Sequence, residues 1–244
     1  MIGLGTIINV VAIIGGSTIG MLARKGIPDH LQNAVMKVLG LATLFIGISG
    51  TLSEMLVVTE EGISTRGVML MIISLVLGAV AGELLRIEDR LESLGDRMKS
   101  LKLFTGAGSH FTEGFVTATL VVSIGAMAII GSFNDGLGQG IDVLVTKSIL
   151  DFVSTMIFAS AMGVGVLCSC VPMGIYQGLL TLLARFLKPL FEGTNIVSDL
   201  SLVGSVLIFG IGINLLFSKS IKVGNLLPAL LVPVIYGLLM KCFA

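Results

Sequence analysis

Two charged side chains, Lys147 and Asp151, stand four residues apart inside a long hydrophobic run. Residues at i and i+4 share a face of a helix, so the two can form an ion pair. Charges in apolar sequence of membrane-spanning length are costly, and they usually face the protein interior, a partner or a water-filled path. Two interpretations stay open. The pair locks helix packing, or Asp151 binds a cation or proton for which Lys147 competes.

Further polar residues accompany this pair at membrane depth. Ser154 and Thr155 lie on or beside the face of Asp151, where their hydroxyl oxygens could help to coordinate a hard cation such as sodium. Side-chain amides offer more oxygens, although each is more often a hydrogen bond between helices than a ligand. Candidates for ion binding or for lining a pathway also include Asn9, Gln177, Asn214, Asn225 and, as a vestibule residue, Glu113.

The composition is that of an integral membrane protein. Of the 244 residues, 55% are hydrophobic and 12% are charged, against about 25% charged in a typical soluble domain. The mean hydropathy is +1.05, and no barrel-type alternation of polar and apolar residues occurs, so the spans are predicted to be helical. Fifteen basic residues balance fifteen acidic ones, which gives no reason to expect a nucleic-acid partner. The expected partner is the lipid bilayer.

The hydrophobic runs predict an all-α, polytopic membrane protein that forms a single transmembrane domain of residues 1–244. About eight transmembrane helices are expected, and seven is the alternative count. The predicted spans are 2–22, 31–53, 67–85, 114–132, 143–165, 172–187, 200–217 and 224–241. The glycine-rich segment 134–140 is predicted to be a turn.

Residues 86–111 form the longest polar segment, and their apolar residues recur at near-helical spacing. This pattern predicts an amphipathic, basic helix on the membrane surface between spans three and four. Loops after spans one, three and seven are rich in Lys and Arg. The positive-inside rule therefore places residues 86–111 in the cytoplasm and both termini outside.

Glycines four residues apart let membrane helices approach each other closely. We therefore expect helix contacts at three such pairs, and a homo-oligomer, for example a dimer, is an expected assembly. The glycines concerned are Gly16, Gly20, Gly78, Gly82, Gly174 and Gly178.

A weak internal repeat is also present. A shift of 110 residues places Lys37 on Lys147, and a shift of 164 residues places Gly40 on Gly204. Each shift relates an even-numbered span to an odd-numbered one, so the related segments would cross the bilayer in opposite directions. This is the pattern of inverted-repeat transporters, although glycine-rich apolar helices also resemble one another by composition alone.

Catalytic chemistry has little support in the sequence. His30 and His110 are the only histidines, and both fall in loops or at span ends. The sequence contains no metal-binding pair, nucleophile elbow or carboxylate pair at a recognisable spacing. We therefore expect that the protein is not an enzyme and that it needs no cofactor.

Several short segments are distinctive and follow one another over nearly the whole chain. They are GLGTIIN at 3–9 with Gly15-Gly16, GAMAIIGS at 125–132, KSILD at 147–151, Gln177-Gly178, GINLL at 212–216 and NLLPA at 225–229. Together they resemble the YqgA/YdfK-like family of uncharacterised bacterial membrane proteins. The resemblance implies a multi-pass protein of the bacterial plasma (inner) membrane, in a family loosely described as possible sodium channels or pumps. It supplies no binding residues and no substrate.

Two functional hypotheses follow. The first is a transporter or channel for a small cation, sodium or a proton, with a polar site around Asp151 inside the helix bundle. The second is a non-transporting scaffold or regulatory protein that acts through partners at residues 86–111. The first predicts a polar path that reaches Asp151, and the second predicts that Lys147 and Asp151 are sealed in dry packing.

Overall fold

The structure, a computed structural model, describes residues 2–24, 28–60, 62–100, 110–123, 126–191, 193–217 and 221–243. Its α-helices are α1 (Leu4–Arg24), α2 (Asp29–Met55), α3 (Val68–Leu85), α4 (Ile87–Lys99), α5 (Phe111–Ser123), α6 (Ala126–Gly136), α7 (Asp142–Met162), α8 (Cys170–Phe191), α9 (Ile196–Phe217) and α10 (Leu231–Phe243). Short 3-10 helices cover Gly163–Gly165, Leu167–Ser169 and Val223–Leu230. An antiparallel hairpin pairs β1 (Leu56–Thr59) with β2 (Gly62–Thr65).

The helices confirm an all-α, multi-pass membrane fold. Within the described ranges, seven helical stretches are long and apolar enough to cross a bilayer. An eighth crossing is obtained if α5 and α6, which are bent by 63° relative to each other, count as one span. Large apolar side chains such as Val38, Phe45 and Leu182 are exposed on these helices, as a lipid-facing surface requires.

The prediction of one continuous helix for the fourth span was wrong. Residues 114–132 do not form one helix, because α5 ends at Ser123 and α6 begins at Ala126. The turn predicted at 134–140 also begins later in the chain than predicted, because α6 continues through Gly136. Asp135 is therefore a helical residue, and its side chain is buried.

Contacts between residues divide the chain into two compact units, and each unit is assembled from segments that are distant in sequence. Unit 1 comprises Met1–Leu39, Asp89–Ser123 and Met127–Lys188. Unit 2 comprises Gly40–Glu88, Ile124–Ala126 and Pro189–Ala244. The short segment 101–109 of the predicted surface helix 86–111 lies outside the described residues, while α4 covers Ile87–Lys99.

Unit 1 is built on the close packing of α1 along α7. A Cβ added at Gly16 would lie 2.2 Å from the backbone oxygen of Phe152 and 2.8 Å from Thr155 Oγ1. A Cβ at Gly20 would lie 3.1 Å from the Cβ of Ala159. The glycine pair therefore lets the two backbones touch, which fixes the position of α1 against the face of α7 that carries Asp151.

We expect Gly16→Ala to lower the free energy of unfolding by about 1–3 kcal/mol, because an added methyl group must displace the backbone of α7. Gly15→Ala is the matched control, since its Cβ would lie 3.4 Å from the nearest atom, Cε2 of Phe152. Thermal unfolding of both variants in detergent measures the difference. Equal melting temperatures for the two variants would contradict the packing argument.

Unit 2 uses glycine in the same way at two contacts. On α3, Gly78 and Gly82 lie against the 3-10 helix Val223–Leu230, where a Cβ at Gly78 would come 2.5 Å from the Cβ of Ala229. On α2, Gly47 lies against α9, with a Cβ position 2.5 Å from the backbone nitrogen of Phe209. Backbone contact at these positions allows helices without large interlocking side chains to pack in lipid.

The third predicted glycine pair, on α8, behaves differently. A Cβ at Gly174 would lie 3.1 Å from Cγ2 of Val10 on α1. A Cβ at Gly178 would meet no atom within 4 Å. Only the first of the two therefore brings α8 close to another helix within the described part of the chain.

Candidate functional site

The Lys147–Asp151 pair lies near the middle of α7. Both residues are buried, with 6% and 7% of their surfaces exposed. The Lys147 ammonium contacts the Asp151 carboxylate directly, and it donates a second hydrogen bond of 2.8 Å to the carbonyl oxygen of Val122. The structure therefore forms the i, i+4 ion pair that the spacing allows and connects it to a second helix.

The bond to Val122 is made at the end of α5. Val122 lies in the last turn of α5, and the final carbonyl groups of a helix have no partner within that helix. They also carry the negative end of the helix dipole, which favours a nearby cation. Lys147 thus bonds to one carboxylate and to one carbonyl oxygen in the last described turn of α5 at the same time.

A pair of side-chain amides lies beside the carboxylate. Asn9 Nδ2 donates a 3.0 Å hydrogen bond to Gln177 Oε1, and Asn9 also interacts with the carboxylate of Asp151. Both amides are fully buried. Within the described part of the chain, Asn9 Oδ1 and Gln177 Nε2 have no hydrogen-bond partner. If the oxygen and nitrogen atoms were exchanged in both amides, one amide oxygen and one amide nitrogen would still have no hydrogen-bond partner within the described residues.

Two further polar contacts continue toward the start of α1. The hydroxyl oxygens of Thr6 and Thr181 are 3.4 Å apart, and either can donate. The carboxylate of Asp135 accepts hydrogen bonds from the backbone N–H groups of Gly3 at 3.0 Å and Gly5 at 2.9 Å. These N–H groups belong to the helix start, where donors lack intrahelical partners, so Asp135 caps α1 from another helix.

These separate contacts involve a set of buried polar residues of unit 1, which we call the polar column. It consists of Asp135, Thr6, Thr181, Asn9, Gln177, Asp151 and Lys147. Along α1, positions 6, 9 and 13 share one face, and the column ends where that face turns apolar. The buried cluster that follows consists of Ile13, Val122, Ala128 and Met173.

The other candidate residues on α7 and α5 make different contacts. The Thr155 hydroxyl donates to the backbone oxygen of Asp151 at 2.7 Å, so it bonds to the helix backbone instead of the carboxylate. Ser154 is half-buried. Glu113 is exposed and pairs with His110, with 2.9 Å between Oε2 and Nδ1. Thr155 therefore contacts the Lys147–Asp151 segment by a hydrogen bond.

The amides Asn214 and Asn225 belong to unit 2 and bond there. Asn214 donates to the backbone oxygen of Ile221 at 2.6 Å and accepts from its N–H at 2.9 Å. Asn225 accepts the backbone N–H of Glu88 at 2.8 Å and donates to Glu83 at 2.5 Å. Both amides therefore bond at or just before the beginning of the 3-10 helix Val223–Leu230.

Three members of the polar column, Asp135, Thr6 and Thr181, were not expected from the sequence. Asp135 was assigned to a turn because Asn and Gly surround it. A usable signal was present on α1, where Thr6 and Asn9 are three residues apart in an otherwise apolar stretch. That spacing places both on one helix face.

Among the residues that the structure describes, no three His, Cys, Asp or Glu side chains come together as a metal site.

Comparisons with known proteins agree with the membrane fold. The model of the family described as "Protein of unknown function (DUF554)" matches residues 4–238. The chain is 31% identical over 229 residues to "Uncharacterized membrane protein YdfK" of Bacillus subtilis (strain 168), covering 94% of this chain and 93% of that protein. It is 29% identical over 231 residues to "Uncharacterized protein YqgA" of Escherichia coli (strain K12), covering 93% of each. No solved structure matches the chain.

Proposed function

The chain belongs to the DUF554 family, as its resemblance predicted, and from that premise we propose that it carries a small monovalent cation, sodium or a proton, across the membrane through unit 1. In this proposal Asp151 is the central binding residue. Lys147 and Asn9 interact with its carboxylate, and Gln177 is bonded to Asn9. The protein acts without catalysis and without a cofactor.

The proposal rests on two buried amide atoms that have no hydrogen-bond partner in the part of the chain that the structure describes, next to a buried carboxylate. Asn9 Oδ1 and Gln177 Nε2 are without partners within the described residues, although neither residue is exposed. Leaving a buried polar group unsatisfied costs about 1–3 kcal/mol. A bundle that needed only packing here would gain stability from apolar side chains. A passing cation with its remaining water gives both groups a partner, which supports a transport role.

The arrangement suggests how Lys147 takes part. In the structure its ammonium occupies the place beside Asp151 that a transported cation would take. A cation that arrives at Asp151 competes with the ammonium, which keeps its bond to the Val122 carbonyl. The apolar cluster around Ile13 and Met173 then forms the barrier that must open for release on the other side. Alternating access of this kind is the usual behaviour of carriers with discontinuous helices.

Ion flux in sealed proteoliposomes tests the proposal, with sodium, potassium and protons measured separately. We expect flux in the wild type and a loss of at least about tenfold in Asp151→Asn, because the variant lacks the charge that binds the cation. Asp199→Asn is the matched control, since Asp199 is a buried carboxylate of unit 2 that lies 3.7 Å from Arg66. Folded wild-type protein that moves none of these ions would refute the proposal.

A non-transporting scaffold remains the second candidate, and one observation favours it. The ion pair is closely packed, and Arg90 and Arg97 on α4 are exposed and available to a partner. This function predicts that reversing these two charges impairs the cell more than Asp151→Asn does. Complementation of a deletion strain with both variants separates the two functions, because transport through Asp151 predicts the opposite order.

A further inference from the structure

We propose that Ser132 of α6 is a further ligand of the cation at Asp151, and that this cation is sodium, held by oxygen atoms from α1, α6 and α7. This inference rests on the proposed function, and it names the cation and adds a binding residue to the same site. Ser132 lies within α6 and is fully buried, with 0% of its surface exposed. Its hydroxyl oxygen has no hydrogen-bond partner within the described residues.

Ser132 lies on the face of α6 that packs against α8. Residues 128, 132 and 136 are spaced by four and therefore share one helix face. Four residues before Ser132, Ala128 belongs to the buried apolar cluster that contains Met173 of α8. Four residues after Ser132, a Cβ at Gly136 would collide with the backbone oxygen of Thr181, also on α8. Packing on both sides of Ser132 thus places its side chain on the interior face of α6.

The same packing puts Ser132 at the level of the two buried amides. On α8, Gln177 lies four residues after Met173 and four before Thr181, as Ser132 lies midway between the corresponding positions of α6. Four residues are about 6 Å of helix rise on either helix, so Ser132 and Gln177 are at one level. Asn9 of α1 is at this level as well, because it bonds directly to Gln177.

Three fully buried side chains at this level each have a polar atom without a partner in the described part of the chain. The atoms are Asn9 Oδ1, Gln177 Nε2 and Ser132 Oγ. A hydroxyl inside a helix commonly bonds to a carbonyl of the preceding turn, as Ser148 does to Leu144 at 2.6 Å, whereas Ser132 makes no such bond. Because unsatisfied buried polar groups are costly, three of them on neighbouring helices indicate a polar ligand.

The chemistry of these atoms favours sodium over a proton. A proton on the Asp151 carboxylate would neutralise the charge and leave Asn9 Oδ1 and Ser132 Oγ without partners. A sodium ion binds oxygen atoms, and neutral oxygens of the protein can replace part of its water shell. Asp151, which interacts with Asn9, supplies the negative charge that balances the ion. A water molecule that the ion retains accepts the remaining N–H group of Gln177.

Initial sodium uptake into proteoliposomes, measured against the external sodium concentration, tests this inference. Ser132→Ala removes only the hydroxyl group, so we expect the half-saturating sodium concentration to rise about fivefold, the loss of one neutral contact, while uptake at saturation is retained. Ser74→Ala is the matched control, because Ser74 of unit 2 is also fully buried and its hydroxyl has no partner within the described residues. This control should keep wild-type kinetics.

Sodium-dependent thermal stability in detergent measures binding without flux. Lys147→Met is the background for this measurement, because it removes the ammonium that contacts Asp151. Adding Ser132→Ala should raise about fivefold the sodium concentration that gives half of the stabilisation, and adding Ser74→Ala should leave that concentration unchanged.

An unchanged half-saturating concentration in Ser132→Ala would overturn the inference and leave the proposed function standing, and so would an equal rise in Ser74→Ala. Proton flux without sodium flux in the wild type would have the same consequence. If Ser132→Ala fails to fold, Ser132→Cys decides, because it keeps the side chain and replaces the hard oxygen by a soft sulfur, a poor ligand for sodium. Folded wild-type protein that moves neither cation refutes both proposals.

Discussion

Replacing Lys147 by methionine is expected to lower the free energy of unfolding by about 3–5 kcal/mol, the usual result of removing one partner of a buried ion pair. The remaining carboxylate of Asp151 would be buried with 7% of the residue surface exposed and without its cation. The Val122 carbonyl would lose its donor as well. Reversible unfolding in detergent, followed by circular dichroism, measures the change.

The double variant Lys147→Met with Asp151→Asn should recover most of this loss. No unpaired charge remains, and replacing a whole buried pair by neutral groups is often close to neutral. The coupling energy from this double-mutant cycle separates the pair from the individual side chains. Lys222→Met is the control, because Lys222 and Glu83 form an exposed pair at 3.3 Å, and an ion pair screened by solvent should contribute little to stability. A double variant as unstable as Lys147→Met would contradict the argument.

The ion pair shows what a sequence can reveal about this fold. Lys147 and Asp151 are conspicuous because they stand in apolar sequence, and their i, i+4 spacing limits them to one helix face. The glycine pairs on α1 and α3 are equally visible, and both lie where two backbones touch. In each case a local pattern is sufficient, since the cost of charge or the lack of a side chain acts at the residue itself.

The polar column shows what a sequence leaves open. Asp135 caps a helix that lies 130 residues away in the chain, so only the packing of α6 against α1 gives it a role. Asn9 and Asn225 look alike as amides in apolar sequence, yet Asn9 bonds to Gln177 in unit 1 and Asn225 to Glu83 in unit 2. Tertiary packing decides which amide lies beside Asp151, and the hydrophobic periodicity of the sequence does not indicate it.

Sodium chloride should stabilise the Lys147→Met variant more than it stabilises the wild type, if Asp151 binds sodium. In the wild type the tethered ammonium of Lys147 already occupies the carboxylate, and its high local concentration competes with any ion from solution. Without it, a cation that binds only the folded state adds about 2.7 kcal/mol at a hundred times its dissociation constant. Thermal unfolding across a salt titration gives the difference.

Choline chloride at equal ionic strength is the control for this titration, because it screens charges but is too large for a site framed by Asn9 and Gln177. The double variant Lys147→Met with Asp151→Asn should lose the part of the stabilisation that is specific to sodium. That loss would place the effect at the carboxylate. Equal stabilisation by both salts in Lys147→Met would show that Asp151 does not select sodium, and the proton would then be the remaining cation of the proposal. Because this readout needs no flux, it tests binding at Asp151 separately from opening of the apolar barrier around Ile13 and Met173.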